Sequence, residues 1–252
     1  MREILLTYSY EGTNYYGSQW QPNFPSVEGE LTKALETVCT HPVRFTSSGR
    51  TDRGVHALAQ VGNFSTTSPI ALEALPRVIN QYLPDDIAVA RAQEVRPGFH
   101  ARYHVSHKRY RYLLYNEMVR HALGHNRVYC LERTIDPALL PPAFEGICGA
   151  RDFRAFMGRY ATVRDTIRDL YSVNMHCEGS LVILDFTGKS FLKNMIRFLV
   201  GTLVEIGRGV RDPEDLRRAV VTGKKEYVGA MAPACGLYLA DVVVPEEWIL
   251  KP

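Results

Sequence analysis

A single carboxylate lies between two guanidinium groups in the segment SSGRTDRGVHALAQ, residues 47–60. Arg50 and Arg53 flank Asp52, and His56 follows within the same segment. Neighbouring cations keep a carboxylate ionised, which is the state that a nucleophile or a general base requires. The residue types and their spacing therefore predict that Asp52 is a reactive group.

The same segment also fits a purely structural turn. In that interpretation the Asp52 carboxylate accepts backbone N–H groups, and Gly49 and Gly54 supply unusual backbone angles. The segment alone leaves both interpretations open.

Arg197 is a second unusual cation, because it lies in the apolar sequence NMIRFLVG. A helix that is apolar nearly all round is usually buried, and a buried guanidinium is costly unless it meets a carboxylate or a phosphate. Arg197 is therefore expected to have a partner from elsewhere in the chain. The alternative is that its stem packs on the helix while the charged end reaches water.

Cations and aromatic residues alternate in HARYHVSHKRYRYLLY, residues 100–115. On a strand, Lys108, Tyr110 and Tyr112 share one face, and Arg109 and Arg111 share the other. Such a surface suits single-stranded nucleic acid, because the cations follow phosphates and the rings stack on bases. An amphipathic strand with buried tyrosines and solvated arginines is the alternative. The candidate substrate-binding residues are Arg50, Arg53, His56, Arg102, Lys108, Arg109 and Arg111.

Neither a metal site nor a cofactor motif is expected. His100, His104 and His107 have a spacing that needs a helix, yet they fall in a linker and a strand. The Gly-Lys-Ser of FTGKSF has Ile183 where a phosphate-binding loop requires glycine. One carboxylate is also too few for an ordinary glycosidase or a two-metal nuclease.

Composition indicates a globular protein. Of 252 residues, 46% are hydrophobic and 23% are charged, and the formal charge is only +3. Seven of the 30 cations are Lys and the rest are Arg, which favours bidentate phosphate contacts. The five cysteines show no metal or disulfide spacing, and neither a leader nor a membrane span is expected. We therefore expect a soluble, cytoplasmic protein.

The order of predicted elements is β-α-β-β-α-β, repeated once, which is typical of ferredoxin-like and RNA-recognition domains. We expect an α+β fold with domains at residues 1–102 and 103–252. Helices are predicted in residues 26–39, 71–83, part of 136–149 and 190–207, and a further helix is predicted after Asp212. Ser26 is expected to be the N-cap of the first helix. Asp212 is expected to cap the last one, with Pro213 as its first residue. A hairpin is predicted to turn at Glu178-Gly179.

Several blocks resemble one known family. GRTDRGVHA closely resembles the signature of the pseudouridine synthases, and within them the tRNA pseudouridine synthase A family. The blocks YSYEGTNYYGSQWQ, VINQYLPDDIAV, FHARYHVSHKRYRYLLYN, FLKNMIRFLVG and GLYLADV are similar to the rest of that family, in the same order. The resemblance covers nearly the whole chain.

The resemblance implies an isomerase that converts uridine to pseudouridine in the anticodon stem-loop of tRNA, at uridines 38, 39 and 40, without cofactor or metal. It implies the pseudouridine synthase fold, in which the two domains' antiparallel sheets join around a central active-site cleft. By this resemblance Asp52 is catalytic, Arg197 pairs with Asp52, and Tyr110 stacks on the flipped base and is a candidate proton acceptor. Arg50 helps to extrude the nucleotide, and the enzyme is a homodimer.

The chain departs from that family's pattern at two positions, with Ser18 where Trp is usual and Phe198 where Asn is common. These two departures bear on which tRNA uridine is modified more than on whether the chain is a synthase. Two other functions remain as alternatives: a non-catalytic RNA-binding protein with two RNA-recognition-like domains, and a glycosylase that releases free uracil.

Overall fold

The computed structural model describes residues 1–119, 121–158, 163 and 165–251. The chain forms two compact units, Met1–Lys108 with the C-terminal residues from Tyr238 onward, and Arg109–Leu237. The expected C-terminal domain, residues 103–252, includes the last strand, which here pairs with a strand of the first unit. These units reflect contacts in the folded chain, and the division at residues 102/103 stays a prediction.

The first unit is built around a mainly antiparallel sheet with two helices. Its elements are β1 (Arg2–Tyr10), α1 (Val27–Cys39), β2 (Thr46–Ser47), β3 (His56–Thr66), α2 (Leu75–Asn80), β4 (Ile87–Val95) and β10 (Leu237–Val243). The strand order β4-β1-β3-β2 is antiparallel throughout and is that of a ferredoxin-like fold. β10 adds to β3 in parallel, with Tyr238 opposite His56.

Helix α1 follows the predicted pattern closely. The Ser26 hydroxyl accepts from Gly29 N at 3.3 Å, which satisfies one of the free N–H groups at the helix start. Leu31 and Leu35 are fully buried, as are Ile4 and Leu6 of β1. Burial of such side chains contributes about 1.5–3 kcal/mol each, so this face of the helix fixes its position against the core.

The second unit holds a sheet of order β5-β9-β8-β7 and two helices. Its elements are β5 (His107–Tyr115), β6 (Tyr129–Cys130), β7 (Gly149–Asp152), β8 (Ile167–Glu178), β9 (Leu181–Gly188), α3 (Met195–Gly207) and α4 (Glu214–Thr222). The predicted hairpin is confirmed, since β8 ends at Glu178 and Gly179 has a φ of 59°. The α+β class is also confirmed.

The segment predicted to be helical in part, residues 136–149, contains no α-helix. The chain there makes three short 3₁₀ turns, Pro137–Leu139, Pro141–Ala143 and Glu145–Ile147. Prolines at 137, 141 and 142 lack the N–H that an α-helix needs, so the segment cannot propagate one.

Three predicted helix starts also need correction. α2 begins only at Leu75, next to Pro76, and α3 begins at Met195 because Asn194 has a left-handed φ of 63°. α4 is assigned from Glu214, so Pro213 precedes it. The N-cap position therefore falls on Pro213 rather than on Asp212, although the Asp212 carboxylate accepts from Glu214 N at 2.9 Å.

Candidate active site

Asp52 lies on a loop of residues 48–55 that joins β2 to β3. Ser48 N donates to Val61 O at 2.8 Å, and Val55 N donates to Asp52 O at 3.1 Å, which closes a turn. Gly54 has a φ of 76°, which favours glycine. The expectation of an unusual backbone at Gly49 is wrong, because its φ is not positive. The side chain of Asp52 is half-buried.

Two tyrosines of β1 support this loop from inside the unit. The Tyr8 hydroxyl is 2.9 Å from Ser47 Oγ, and the Tyr10 hydroxyl is 2.8 Å from Thr51 Oγ1. Burial raises the pKa of Tyr8 well above its usual value and that of Tyr10 to about 12. Both phenols therefore stay neutral at physiological pH and keep their hydrogen-bonding role.

Ser18 binds the residue next to Asp52 in two ways. Its hydroxyl accepts from Thr51 N at 2.8 Å, and its own N–H donates to Thr51 O at 3.2 Å. Ser18 is only 2% exposed. The departure noted in the sequence thus places a small hydroxyl side chain against the backbone of the Asp52 loop.

Gln60 of β3 supplies a buried amide to the first half of the loop. Its Nε2 donates to Gly49 O at 3.0 Å, and its Oε1 accepts from Ser48 Oγ and from Val61 N. The side chain has no exposed area. Because every polar atom of this amide is used, Gln60 fixes both ends of the short stretch that precedes Arg50.

We expect Gln60→Leu to lower the free energy of unfolding by at least about 2 kcal/mol, since it leaves buried groups of Ser48, Gly49 and Val61 without a partner. Urea unfolding measures the effect. Gln93→Leu, at a half-buried glutamine of β4, is the matched control and should change stability much less. Equal losses in the two variants would contradict the role of Gln60.

Lys108 reaches the same loop from the end of the first unit. Its Nζ donates to Ser48 O at 2.7 Å, and a Cβ on residue 49 would lie 2.6 Å from that Nζ. Gly49 therefore matters for the close approach of the ammonium group. Burial, with a smaller contribution from the charge of Arg102, lowers the pKa of Lys108 from 10.5 to about 8.

This lowered pKa predicts a pH-dependent stability. Between about pH 8 and 10.5 the unfolded chain holds the Lys108 proton and the folded chain has released it, so the free energy of unfolding rises with pH in that window. We expect wild type to gain about 1–3 kcal/mol relative to Lys108→Met between pH 7.5 and 10. Urea unfolding at several pH values checks this.

Lys33→Met is the matched control, because the Lys33 side chain is 73% exposed. Other titrating groups, including the buried tyrosines, are common to all three proteins and cancel in the difference. A difference between wild type and Lys108→Met that stays constant across the window would contradict the lowered pKa.

Three of the arginines predicted to bind substrate are exposed in this unit. Arg50 and Arg53 are exposed, and the Arg53 guanidinium lies 4.1 Å from the centroid of the Tyr16 ring. Arg102 is also exposed, 5.9 Å from the Tyr103 ring. These predicted substrate-binding residues are placed where an anionic ligand can reach them.

His56 is placed differently. It is 1% exposed, its Nδ1 accepts from Gly12 N at 3.0 Å, and its ring stacks on Tyr238 at 4.8 Å. The side chain supports the end of the loop from the interior. Because it is buried, it cannot make the predicted contact with a substrate in this conformation.

In the second unit, β5 carries the remaining predicted residues. Arg109 and Tyr110 are half-buried, and the Tyr110 ring meets Phe191 edge-on at 5.0 Å. Arg111 forms a bidentate ion pair with Asp185 of β9, with N–O distances of 3.0 and 2.9 Å. Of these cations, Arg111 is thus already engaged with a carboxylate inside its own unit.

Arg197 lies near the start of α3 and is half-buried. Its Nε donates to Ala232 O at 2.8 Å, and Ala232 N donates back to Arg197 O at 3.0 Å. Its charge also partly opposes the rise that burial causes in the pKa of Tyr112. Arg197 thus binds a backbone carbonyl 35 positions away in the chain, and its pairing with the Asp52 carboxylate stays a prediction.

The first unit thus contains Arg50, Asp52, Arg53, His56, Arg102 and Lys108, and the second contains Arg109, Tyr110, Arg111 and Arg197. Within the described part of the chain, no group of three or more His, Cys, Asp or Glu side chains could hold a metal ion. None of the described helices has the length and hydropathy to cross a bilayer.

Sequence reasoning missed the residues that hold the loop. Tyr8 and Tyr10 share a strand face in EILLTYSY, a signal that could have placed both against one neighbouring segment. Gln60 gave no signal, because a glutamine in a strand is usually a solvated residue.

A protein-family model matches two stretches of this chain. The family model described as tRNA pseudouridine synthase matches residues 6–104 and 143–245, which include Asp52 and Arg197. The chain belongs to the tRNA pseudouridine synthase family, whose members are isomerases.

Individual relatives agree with this family. The chain is 40% identical over 242 residues to tRNA pseudouridine synthase A of Pelobacter propionicus, covering 96% of this chain and 99% of that one. It is 37% identical over 243 residues to the protein of that name from Caldicellulosiruptor bescii, at 96% and 100% coverage. The protein of the same name from Syntrophotalea carbinolica is 39% identical over 250 residues, at 99% coverage of both. The resemblance seen in the sequence motifs is confirmed.

Proposed function

We propose that this isomerase converts uridine to pseudouridine at positions 38, 39 and 40 of the tRNA anticodon stem-loop, with Asp52 as the catalytic residue and the target base flipped out of its stack. The observation that carries this proposal is the Asp52 loop itself. Its backbone is held by Ser18, Gln60 and Lys108, while the Asp52 side chain remains half-buried rather than enclosed.

A rigid loop is what such chemistry needs. The reacting base arrives attached to a large RNA, so catalysis depends on holding the carboxylate in one position relative to the sugar and the base. Tyr8 and Tyr10 fix the loop through neutral hydroxyls, so its geometry does not change with pH near neutrality. The Asp52 side chain is left as the group of this loop that acts on the substrate.

The proposed reaction breaks the N1–C1′ bond of uridine and joins C5 of the same base to C1′. A proton leaves C5 and N1 gains one, so the product is an isomer and no oxidant or group donor is consumed. Asp52 initiates cleavage of the N1–C1′ bond, and Tyr110 stacks on the uracil and is the proposed acceptor of the C5 proton. Extruding the base costs a few kcal/mol, which binding of the tRNA must supply.

The cations have separate proposed roles. Arg50 fills the space that the flipped nucleotide leaves, and Arg197 pairs with the Asp52 carboxylate and keeps it ionised. Arg53, Arg102, Lys108 and Arg109 contribute positive charge along the RNA backbone, a contribution that weakens as salt increases. Arg111, being paired with Asp185, contributes less in this proposal. The proposed working form is a cytoplasmic homodimer.

The proposal is tested by incubating unmodified tRNA with the protein and mapping pseudouridine at single-nucleotide resolution. We expect modification at uridines 38, 39 and 40 where a tRNA carries them, with no release of free uracil. Binding without modification would support an RNA-binding protein instead, and free uracil would support a glycosylase. Modification confined to another arm of the tRNA would contradict the proposed substrate positions.

A further inference from the structure

Arg53 of the Asp52 loop and two aromatic side chains form a stack, and the two rings have no role in the proposed chemistry. The rings of Tyr16 and Phe24 have centroids 4.4 Å apart at an angle of 31°, and the Arg53 guanidinium lies 4.1 Å from the Tyr16 centroid. We call Arg53, Tyr16 and Phe24 the stacking ladder. Arg53 directly follows Asp52, so the ladder is connected to the candidate catalytic loop through one peptide bond.

The ladder is exposed although it is composed largely of apolar surface. Tyr16 is 39% exposed and Phe24 is 48% exposed, and Trp20 between them in the sequence is 61% exposed. A cluster of large aromatic side chains in contact with water is unfavourable by itself and typically marks a binding surface. The exposed edges and faces of these rings are therefore available to a ligand.

The segment that carries the two rings is held in place by its own hydrogen bonds. Tyr16 N donates to Pro25 O at 3.0 Å, and Gln21 Nε2 donates to Tyr16 O at 3.0 Å. Gln21 and Phe24 also form an isolated β-bridge, and Trp20 N donates to Glu28 Oε2 at 2.8 Å. The rings are thus positioned before any ligand binds, which lowers the entropic cost of stacking on them.

The charge around the ladder selects the kind of ligand. Among the described residues, neither Arg50 nor Arg53 has a carboxylate within ion-pair distance, and both are exposed. A stacked guanidinium that keeps its N–H groups free for an anion, next to two exposed rings, matches a nucleobase with its adjoining phosphate. An apolar protein surface would match the rings but would leave both cations without an anion.

We propose that the stacking ladder binds a nucleobase of the tRNA next to the flipped uridine, with Arg53 pairing with the adjoining phosphate. This inference builds on the proposed function, because it names a further contact of the same RNA substrate. Since stacking accepts any base, the ladder holds the neighbouring nucleotide without selecting its identity. It would thereby keep the strand in place while the target nucleotide leaves the stack.

The test uses a synthetic anticodon stem-loop that carries 2-aminopurine, a fluorescent adenine analogue, at one position at a time. Stacking quenches this fluorophore, so we expect wild type to quench it at a position adjacent to the target uridine. Tyr16→Ala and Phe24→Ala should each remove that quenching and raise Kd about 5- to 100-fold. Tyr16→Phe and Phe24→Tyr, which keep the rings, should retain both properties.

Tyr82→Ala is the matched control, since Tyr82 is a 55% exposed tyrosine of the same unit outside the ladder. A melting temperature for each variant separates loss of folding from loss of binding, and Phe24→Ala decides the matter if Tyr16→Ala is unstable. Unchanged quenching and Kd in a folded ladder variant would overturn the proposal, as would binding by wild type without quenching at any position. Absence of stem-loop binding would overturn it too, while the pseudouridine map of whole tRNA decides the proposed function independently.

Discussion

Replacing Asp52 with Asn is expected to lower the rate of pseudouridine formation by at least about a thousandfold, while tRNA still binds. The amide has nearly the same shape as the carboxylate, but it carries no charge and is neither a nucleophile nor a base. The hydrogen bonds that hold the loop come from Ser18, Gln60 and Lys108 to backbone groups of neighbouring residues, so the loop should keep its conformation. Single-turnover release of tritium from C5 of uridine in tRNA measures the rate, and equilibrium titration measures binding.

Asp85→Asn provides the matched control, because Asp85 is an exposed aspartate of the same unit. Its rate and its tRNA affinity should equal those of wild type. If Asp52→Asn forms pseudouridine at a rate within tenfold of wild type, Asp52 is a turn residue and the proposed catalytic role is wrong. If it instead loses tRNA binding and melts early, the carboxylate has a structural role.

Replacing Arg197 with Met is expected to lower kcat by at least about a hundredfold and to lower the melting temperature by several degrees. Methionine retains the apolar stem that packs on α3, but it removes the charge and the 2.8 Å hydrogen bond to Ala232 O. Loss of a hydrogen bond from a charged group costs about 1.5–3 kcal/mol. Loss of the guanidinium proposed to pair with Asp52 accounts for the expected fall in kcat.

Arg218→Met is the control for a surface arginine, since the Arg218 side chain is 46% exposed and pairs with Asp215 within α4 at 3.1 Å. It should leave kcat and the melting temperature nearly unchanged. A lower melting temperature in Arg197→Met with wild-type kcat would restrict Arg197 to its contact with Ala232. Negligible effects of both substitutions on kcat and melting temperature would contradict the hypothesis that Arg197 pairs with Asp52.

Local signals in the sequence were sufficient for elements that local contacts stabilise. α1 has a capping serine, an apolar face and no proline, and its observed bounds agree with the prediction. The turn at Gly179 needs a positive φ, which glycine adopts more readily than other residues. In residues 136–149 the apolar pattern favoured a helix, but three prolines lie in this segment. The chain there forms 3₁₀ turns instead of an α-helix.

The candidate site was predictable only in part. The charged residues around Asp52 are neighbours in the sequence, whereas the residues that hold its loop in place are distant in the sequence. Asp52 was found from charges next to it in the chain, which any reader of the sequence can see. The groups that hold its loop come from Tyr10, Ser18, Gln60 and Lys108, and Thr51 and Tyr10 are 41 positions apart in the sequence. No spacing rule relates such residues, since only the strand order brings them together.

The parallel pairing of β10 with β3 has a consequence for how the protein is made. His56, at the end of the Asp52 loop, stacks on Tyr238, which lies 182 positions further along the chain. During synthesis the Asp52 loop therefore gains this support only after Tyr238 has been made. A prematurely terminated product would contain Asp52 and all of its neighbouring arginines, yet would lack a completed loop with which to act on RNA.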